Sequence, residues 1–315
     1  QWHSVIRQKG SRLWPRLGRY EVMTARAEIG YATVLIYQYS LAAVAGQRGK
    51  PSFAARAVVG TAIRRLENLS KDVAGRDISL FKAYITQAQA WNNSTNTQEA
   101  KAILAKAQSL LPSDAQGDFQ YLFAAGLITE GRRKHWARSL LQQSTALRPS
   151  FELSRLNLAY IYEMLWRTRP TLEKEVAENV FEEYEKVLKL NPGNSAAWAN
   201  RGYMRWLMNG QENIERAIED FKAGREYKHI KQDSFVAELD YGLARIAAER
   251  GNFQAAYDAY TKSTSALLAQ GYLYRSNVNN FLYHFDLIDE KIYQRFSDYR
   301  ETVETNWQAL ESIDD

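Results

Sequence analysis

Apolar residues recur at helical spacing through the middle of the chain, and three of these helical segments end on a proline. The sequences are Gln-Ser-Leu-Leu-Pro at Pro112, Thr-Ala-Leu-Arg-Pro at Pro149 and Val-Leu-Lys-Leu-Asn-Pro at Pro192. Because proline cannot continue a helix and biases the preceding residue away from helical geometry, each position predicts a helix end. The spacings of 37 and 43 residues indicate a helix pair that repeats along the chain.

Small and large residues alternate within these segments. The clearest unit starts near Ser195 and places Gly202 before Phe221, and the next unit places Gly242 before Tyr260. Two helices approach closely only where one presents glycine or alanine and a bulky side chain fills the groove beside it. We therefore expect Phe221 to pack against Gly202 and Tyr260 against Gly242.

Glycine and asparagine mark the turns between the helices. Asn209-Gly210 and Gly251 are residue types that tolerate a positive φ. Residues 211–213 predict a longer turn than usual in their unit, and residues 167–175 predict an insertion between two helices. Five units follow from this pattern: 81–112, 118–149, 152–192, 195–229 and 235–268.

This alternation resembles the tetratricopeptide repeat, in which large and small residues alternate across two antiparallel helices. Arg201 and Glu238 depart from the family pattern, which favours leucine and an aromatic residue at those positions. The resemblance implies an all-α fold, a right-handed solenoid of about five to six helix pairs with terminal capping helices. It also implies a concave groove, lined by the first helix of each pair, in which an extended peptide binds.

The chain divides into four expected segments. A basic extension rich in tryptophan and arginine covers residues 1–19, and a degenerate helical pair covers 20–75. The repeat array covers 76–268, and acidic capping helices cover 269–315, because the end of an array needs a polar outer face. The sequence begins at Gln1 without an initiator methionine, and we interpret it as a fragment or a processed chain.

The composition is that of a folded protein, with 45% hydrophobic and 24% charged residues. Cysteine is absent, which excludes disulfides and thiol chemistry but fits the cytosol and the cell exterior alike. The cytoplasm is the first expectation for the compartment, with membrane association as the alternative.

Residues 29–46 carry no charge, and this segment has the length of a possible membrane span. The polar residues Thr33, Gln38 and Ser40 interrupt this segment, so a buried solenoid helix explains it better than a membrane span.

The net charge of +5 is unevenly distributed. Residues 1–80 contain 13 Lys or Arg against 5 Asp or Glu, whereas residues 272–315 contain 4 against 9. Aromatic and basic residues interleave at the start of the chain: Trp2, Arg7, Lys9, Arg12, Trp14, Arg16 and Arg19. This pattern suits contact with an anionic membrane surface, and the alternative is a linker and first helix that dock on the array. Such a segment could also contact the phosphates of a nucleic acid. Nucleic acid is nevertheless not the expected partner.

No catalytic constellation stands out, so we expect a protein that is not an enzyme and needs no cofactor or metal. The four histidines are scattered without a second ligand at helical spacing, and no glycine-rich loop follows a strand. His135 is expected to be a partly exposed residue near the start of a helix. The adjacent acids Glu182 and Glu183 are expected on a solvated helix face.

Binding is the expected function. By the alignment of the units, two asparagines and two tyrosines fall at matching positions on successive first helices, with three arginines nearby: Asn157, Asn200, Tyr160, Tyr203, Arg155, Arg201 and Arg205. Asparagine donates to and accepts from a peptide backbone, tyrosine supplies aromatic walls and arginine reaches acidic groups. Asp240 would repel a carboxylate, which argues against the clamp on a C-terminal carboxylate that the family is known for.

The leading hypothesis is a protein-protein interaction scaffold that binds a partner protein or peptide in the groove. Two alternatives stay open at this point. One is a sensor or regulatory array of a larger multidomain enzyme or NTPase. The other is a membrane-tethered assembly factor for an envelope or secretion complex, anchored through the basic, tryptophan-rich start.

Overall fold

The computed structural model describes residues 14–42, 50–93, 96–129, 134–168, 174–227 and 234–252, together with isolated positions from 255 to 263. Over these residues the structure contains helices and no strand. The helices are α1 Trp14–Ala42, α2 Lys50–Glu67, α3 Arg76–Asn93, α4 Thr97–Leu110, α5 Pro112–Gly117, α6 Phe119–Thr129, α7 Lys134–Leu147, α8 Glu152–Thr168, α9 Lys174–Leu190, α10 Ser195–Met208, α11 Gln211–Glu226 and α12 Ser234–Glu249.

The helices pack in pairs along the chain, which confirms the predicted all-α solenoid. The pairs are α1 with α2, α3 with α4, α6 with α7, α8 with α9 and α10 with α11. The second helix of most pairs also packs against the first helix of the next pair, and α10 packs against α12. This nearest-neighbour packing is the defining feature of a helical-repeat array.

The prolines end helices as predicted. Helix α4 ends at Leu110, and Pro112 then begins the short helix α5, in which its missing N–H is not needed. Pro149 and Pro192 lie in the turns that follow α7 and α9. Asn194, just after the last of these turns, accepts a hydrogen bond from the Ala197 amide at 2.8 Å and caps α10.

The turn residues also behave as predicted, with one exception. Asn209, Gly210 and Gly251 have φ values of 57°, 85° and 72°. Residues 211–213, however, are not part of a long turn, because α11 begins at Gln211. The extra residues of this unit lengthen the helix by most of a turn, and the connection between α10 and α11 is only Asn209-Gly210.

Phe221 is fully buried and lies between two glycines. A Cβ atom added to Gly202 would be 2.5 Å from Phe221 Cε1, which confirms that phenylalanine packs against Gly202. A Cβ atom added to Gly242 would be 2.4 Å from Phe221 Cζ. Gly242 therefore receives the same ring, and the expected partner Tyr260 lies outside the described residues.

The core consists of three clusters that follow one another along the chain. The first extends from Val22 to Ile128, the second from Phe123 to Met204, and the third from Ala199 to Ile246. Helix α6 contributes to both the first and the second cluster. Helices α1 and α2 pack against each other and share the first cluster with α3. The expected boundaries of this segment, at residues 20 and 75, stay a prediction.

None of the helices in the described part of the chain is long and apolar enough to cross a membrane. Within the uncharged segment, Ile29, Ala32 and Ile36 are buried in the first cluster, as expected for a solenoid helix. Residues 1–13, which include Trp2, Arg7, Lys9 and Arg12, lie outside the described residues. The expected capping helices at 269–315 also lie outside them.

Candidate partner-binding face

The predicted asparagines and tyrosines lie on α8 and α10, the first helices of two successive pairs. Tyr160 on α8 is 39% exposed, and Asn157, Asn200 and Tyr203 are half-buried. Each tyrosine follows its asparagine by three residues, so the two side chains share one side of the helix. Helices α8 and α10 are in contact, which brings the two sets onto neighbouring helices.

Both asparagines already make one contact within the protein. The Asn157 amide donates from Nδ2 to the Leu153 carbonyl oxygen at 2.8 Å, within α8. Asn200 forms a hydrogen bond with the hydroxyl of the buried Tyr184 on α9. An asparagine side chain has two donor hydrogens and an oxygen with two lone pairs, so one internal bond leaves capacity for a ligand.

Beneath Asn200 lies a buried polar network that joins three helices. The Tyr184 hydroxyl donates to Glu163 Oε2 at 3.1 Å, and Arg167 approaches the other carboxylate oxygen at 3.4 Å. Burial raises the pKa of Glu163 above its usual value, although Tyr184 and Arg167 both act to lower it. Burial and then the charge of Glu163 raise the pKa of Tyr184 well above its usual value.

Arg155 is bound at the start of α8. Its Nη1 atom lies 2.9 Å from Glu183 Oε2, and its Nε donates to the Pro149 carbonyl oxygen at 2.7 Å. Glu183 is buried and also pairs with Lys186 at 2.8 Å. The expectation that Glu183 belongs to a solvated face is therefore wrong, whereas Glu182 is exposed.

Arg201 and Arg205 share one buried carboxylate on the neighbouring helix. Arg201 binds both oxygens of Asp220, at 2.6 and 3.1 Å, and Arg205 Nη1 lies 2.9 Å from Asp220 Oδ2. Asp220 is 2% exposed, and burial raises its pKa although both arginines act to lower it. The guanidinium of Arg201 also covers the Trp198 ring at 4.7 Å, so these arginines connect α10 to α11.

Aromatic rings continue from α10 to α12. Tyr203 makes an edge contact with Phe221 at a centroid distance of 5.2 Å and lies 6.5 Å from Tyr241. Together with Tyr160 on α8, these rings place a tyrosine on each of three successive first helices. Asp240 is 2% exposed and lies 2.9 Å from Arg225, so its charge is paired inside the fold.

The structure adds four acidic residues that the sequence pattern did not single out as buried: Glu163, Glu183, Asp220 and Asp240. The sequence gives little indication that these residues are buried, because acidic residues on helices are usually exposed and little in the local sequence distinguishes these. One signal was available for Asp220, which directly precedes Phe221 on the buried side of α11. Each of these carboxylates is bound by groups from another helix, so its burial depends on tertiary contacts.

The predicted surface-contact residues are only partly described. Trp14, Arg16 and Arg19 lie in the first turns of α1, and Arg19 is exposed. His135 is exposed at the second position of α7, as expected. Over the part of the chain that the structure describes, no group of three or more histidine, aspartate or glutamate residues is arranged to hold a metal ion.

Comparison of the sequence with family models and with curated proteins finds no match. Among solved structures, PilF of Pseudomonas aeruginosa is 17% identical with a TM-score of 0.53, over 75% of this chain and 93% of that chain. The human IFIT1 dimer with PPP-AAAA is 14% identical with a TM-score of 0.63, over 91% of this chain and 64% of that chain. The thermophilic TPR protein TTC0263 of Thermus thermophilus is 16% identical with a TM-score of 0.45, over 60% of this chain and 99% of that chain.

Sequence identities of 14–17% with these solved structures show a common fold. The function has to be inferred from the residues of this chain. The paired helices, the glycines that receive Phe221 and the prolines after the second helices are the features that the repeat pattern predicts. The chain is therefore built as a tetratricopeptide-like helical-repeat protein.

Proposed function

We propose that the protein is a non-catalytic interaction scaffold that binds an extended segment of a partner protein across α8, α10 and α12. The observation that carries this proposal is the exposure of Tyr160 on α8, whose side chain is 39% accessible. The next two first helices carry Tyr203 and Tyr241, whose ring centroids lie 6.5 Å apart. Aromatic side chains dominate the energy of protein interfaces because they bury a large area with few rotatable bonds.

The chemistry of this face suits a peptide backbone better than a strongly acidic ligand. Asn157 and Asn200 each retain hydrogen-bonding capacity, and amide groups can hold an extended chain in register. Arg155, Arg201 and Arg205 are each paired with a carboxylate of the fold. A ligand carboxylate would have to compete with these pairs, so we assign the arginines to positioning the helices that carry the face.

The four-segment division of the chain is kept as part of the proposal, with the array at 76–268 as the binding unit. Contact of residues 1–19 with an anionic surface remains a prediction. The sensor and envelope-assembly alternatives gain no support from the described residues, and we do not pursue them.

A photo-crosslinking amino acid in place of Tyr160 tests the proposal directly. The crosslinked partner is identified from lysate, and its affinity is then measured by calorimetry with Tyr160→Ala and with the double variant Asn157→Ala and Asn200→Ala. We expect Tyr160→Ala to weaken binding about tenfold, which corresponds to about 1.4 kcal/mol.

Trp136 provides the matched control, because it is 61% exposed on α7, outside the proposed face. Trp136→Ala should leave the affinity unchanged. Helix content and thermal unfolding are measured for every variant, because Asn200 also bonds to Tyr184. Equal affinities for the parent chain and Tyr160→Ala would show that the partner binds elsewhere.

A further inference from the structure

Arg245 on α12 lies over an aromatic ring of the neighbouring first helix. Its guanidinium carbon is 4.0 Å from the centroid of the Trp206 ring on α10 and 5.9 Å from that of Tyr241 on α12. Glu249 accepts a hydrogen bond from Trp206 Nε1 at 2.9 Å, which holds the indole ring in place. A cation over the face of a tryptophan ring is attracted by the electrons of that face. Arg245 is therefore positioned at the contact between α10 and α12.

This guanidinium has no acidic partner within the fold. In the part of the chain that the structure describes, no carboxylate oxygen forms an ion pair with Arg245, and its Nε atom is buried without a hydrogen bond. Arg201 and Arg205, by contrast, share the carboxylate of Asp220. A ring over the face of a guanidinium uses none of its N–H groups, because these lie in its plane. The terminal nitrogens of Arg245 therefore keep their capacity to donate to a ligand.

The position of Arg245 distinguishes it from another stacked arginine of the chain. Arg56 on α2 lies 4.2 Å from the Trp91 ring, and its Nε is also buried without a hydrogen bond. Stacking alone therefore does not indicate a binding site. Arg245, however, lies next to Tyr241, the tyrosine of α12 in the proposed binding face. It is placed where one end of a segment bound across α8, α10 and α12 would lie.

We propose that Arg245 binds the side-chain carboxylate of one aspartate or glutamate in the partner segment. The inference rests on the proposed function and names the residue that selects the ligand there. A carboxylate accepts two parallel hydrogen bonds from a guanidinium, and such charge-assisted pairs are the strong ones. Because Trp206 already holds the cation, less side-chain freedom is lost on binding. One acidic contact at α12 determines which end of the segment lies on this helix.

The packing of the first helices predicts where the acidic residue falls in the segment. The axes of packed helices lie about 8–10 Å apart, so α8 and α12 are separated by about 16–20 Å. An extended chain advances about 3.3 Å per residue. The acidic residue should therefore lie about five to six residues from the residue that contacts Tyr160.

Selection from a random peptide library tests the inference on the full chain. The library is displayed on phage, and its peptides are about 12 residues long, enough to cross three helices when extended. We expect the recovered peptides that do not bind Tyr160→Ala to share an acidic residue at a fixed position. Arg245→Glu should select lysine or arginine at that position. Arg56→Glu is the matched control and should select the same acidic peptides as the parent chain.

Calorimetry with one synthetic peptide from the selection separates direct contact from a structural role. Arg245→Gln should weaken binding about ten- to a hundredfold, and the peptide with the matching amide should bind the parent chain with a similar loss. Both changes together should cost no more than either alone, because they remove the same contact. Arg245→Lys should keep only part of the affinity, since lysine retains the charge but not the paired donors. Helix content is measured for every variant.

The results that would overturn the inference differ from those that would overturn the binding face. Tyr160-dependent peptides without a shared acidic position, or with one that Arg245→Glu also selects, would exclude Arg245 and leave the face in place. Equal losses for the acidic and the amide peptide in Arg245→Gln, or the same change of selection in Arg56→Glu, would show that the arginine acts through the fold. If no recovered peptide depended on Tyr160, the face and the role of Arg245 would both be wrong.

Discussion

At the scale of single residues, the clearest constraint is the ring of Phe221 between Gly202 and Gly242. The ring is fully buried and lies within contact distance of both glycines, so it cannot move away from one without approaching the other. This side chain therefore packs against all three helices, α10, α11 and α12. Tyr203 closes the contact with an edge-on ring at 5.2 Å.

A methyl group at either glycine should overpack this contact. We expect Gly202→Ala and Gly242→Ala each to lower the free energy of unfolding by about 1–3 kcal/mol, measured by denaturant titration. Gly60→Ala is the control, because its added Cβ atom would find its nearest neighbours at 4.0 Å. It should be neutral or stabilising by up to about 1 kcal/mol, since alanine favours helix more than glycine. Equal stability of the Gly202 and Gly60 variants would refute the packing argument.

At the scale of helices, buried polar groups connect consecutive helices, both within a pair and between pairs. Glu163 on α8, Tyr184 on α9 and Asn200 on α10 form one network, and Asp220 joins α11 to α10 through Arg201 and Arg205. Such groups are costly to bury unless paired, and removing one partner leaves the other without compensation. These polar groups therefore help to specify which faces of the helices meet, and apolar packing stabilises the contact.

Glu163 makes stability depend on pH with a definite sign. Because burial raises its folded-state pKa, the folded chain holds this proton more tightly than the unfolded chain does. Its contribution to stability is therefore greatest below the usual pKa of 4.5 and falls as pH rises through the raised folded value. We expect Glu163→Gln to stabilise the protein relative to the parent at neutral pH, with the difference shrinking as pH falls to 4.5.

Thermal unfolding of the two chains across this pH range measures the effect. The difference between variant and parent is the relevant quantity, because Asp220 titrates with the same sign in both. Glu212→Gln serves as the control, since it removes a carboxylate that is exposed on α11. A Glu163→Gln chain that is less stable at neutral pH would mean that Tyr184 and Arg167 outweigh the cost of burial.

At the scale of the whole molecule, the succession of three core clusters determines how stability is distributed. Each helix pair contacts its neighbours along the chain, and α6 is shared by the first two clusters. Arrays of this kind behave approximately as a chain of units with nearest-neighbour coupling. Damage in one cluster should therefore spread only to adjacent pairs.

Leu66→Ala tests this distribution, because Leu66 is fully buried in the first cluster. The cavity should cost about 2–5 kcal/mol. Hydrogen exchange followed by mass spectrometry should show lost protection in α1–α4, while α10 and α11 keep theirs. Leu239→Ala, in the third cluster, should show the opposite distribution. A uniform loss in both variants would show that the array unfolds as a single unit.

Much of the fold was predictable because its signals are local. Proline at the ends of second helices, positive φ at Asn209 and Gly210, and the pairing of Gly202 with Phe221 depend on backbone sterics or on one helix pair. The error at residues 211–213 has a local cause as well, since polar residues after a glycine suit a turn and a helix start equally. For the candidate face, the sequence predicted which helices carry the residues but not which contacts their side chains make. Those contacts come mostly from other helices.

The sequence by itself determined the class of fold, because the period of small and large residues reflects how two adjacent helices pack. Only the tertiary structure decided which polar residues are buried and which apolar ones are exposed. In the sequence, Glu163 and Asp220 are ordinary acidic residues of helices. In the fold they are buried and bound by residues about 20 positions away. The outward side of α1 is apolar like a core face, but among the described residues the array packs against the other side of this helix. The burial of these acids and the exposure of this apolar side both depend on contacts between segments distant in sequence. The local periodicity of the sequence does not indicate such contacts.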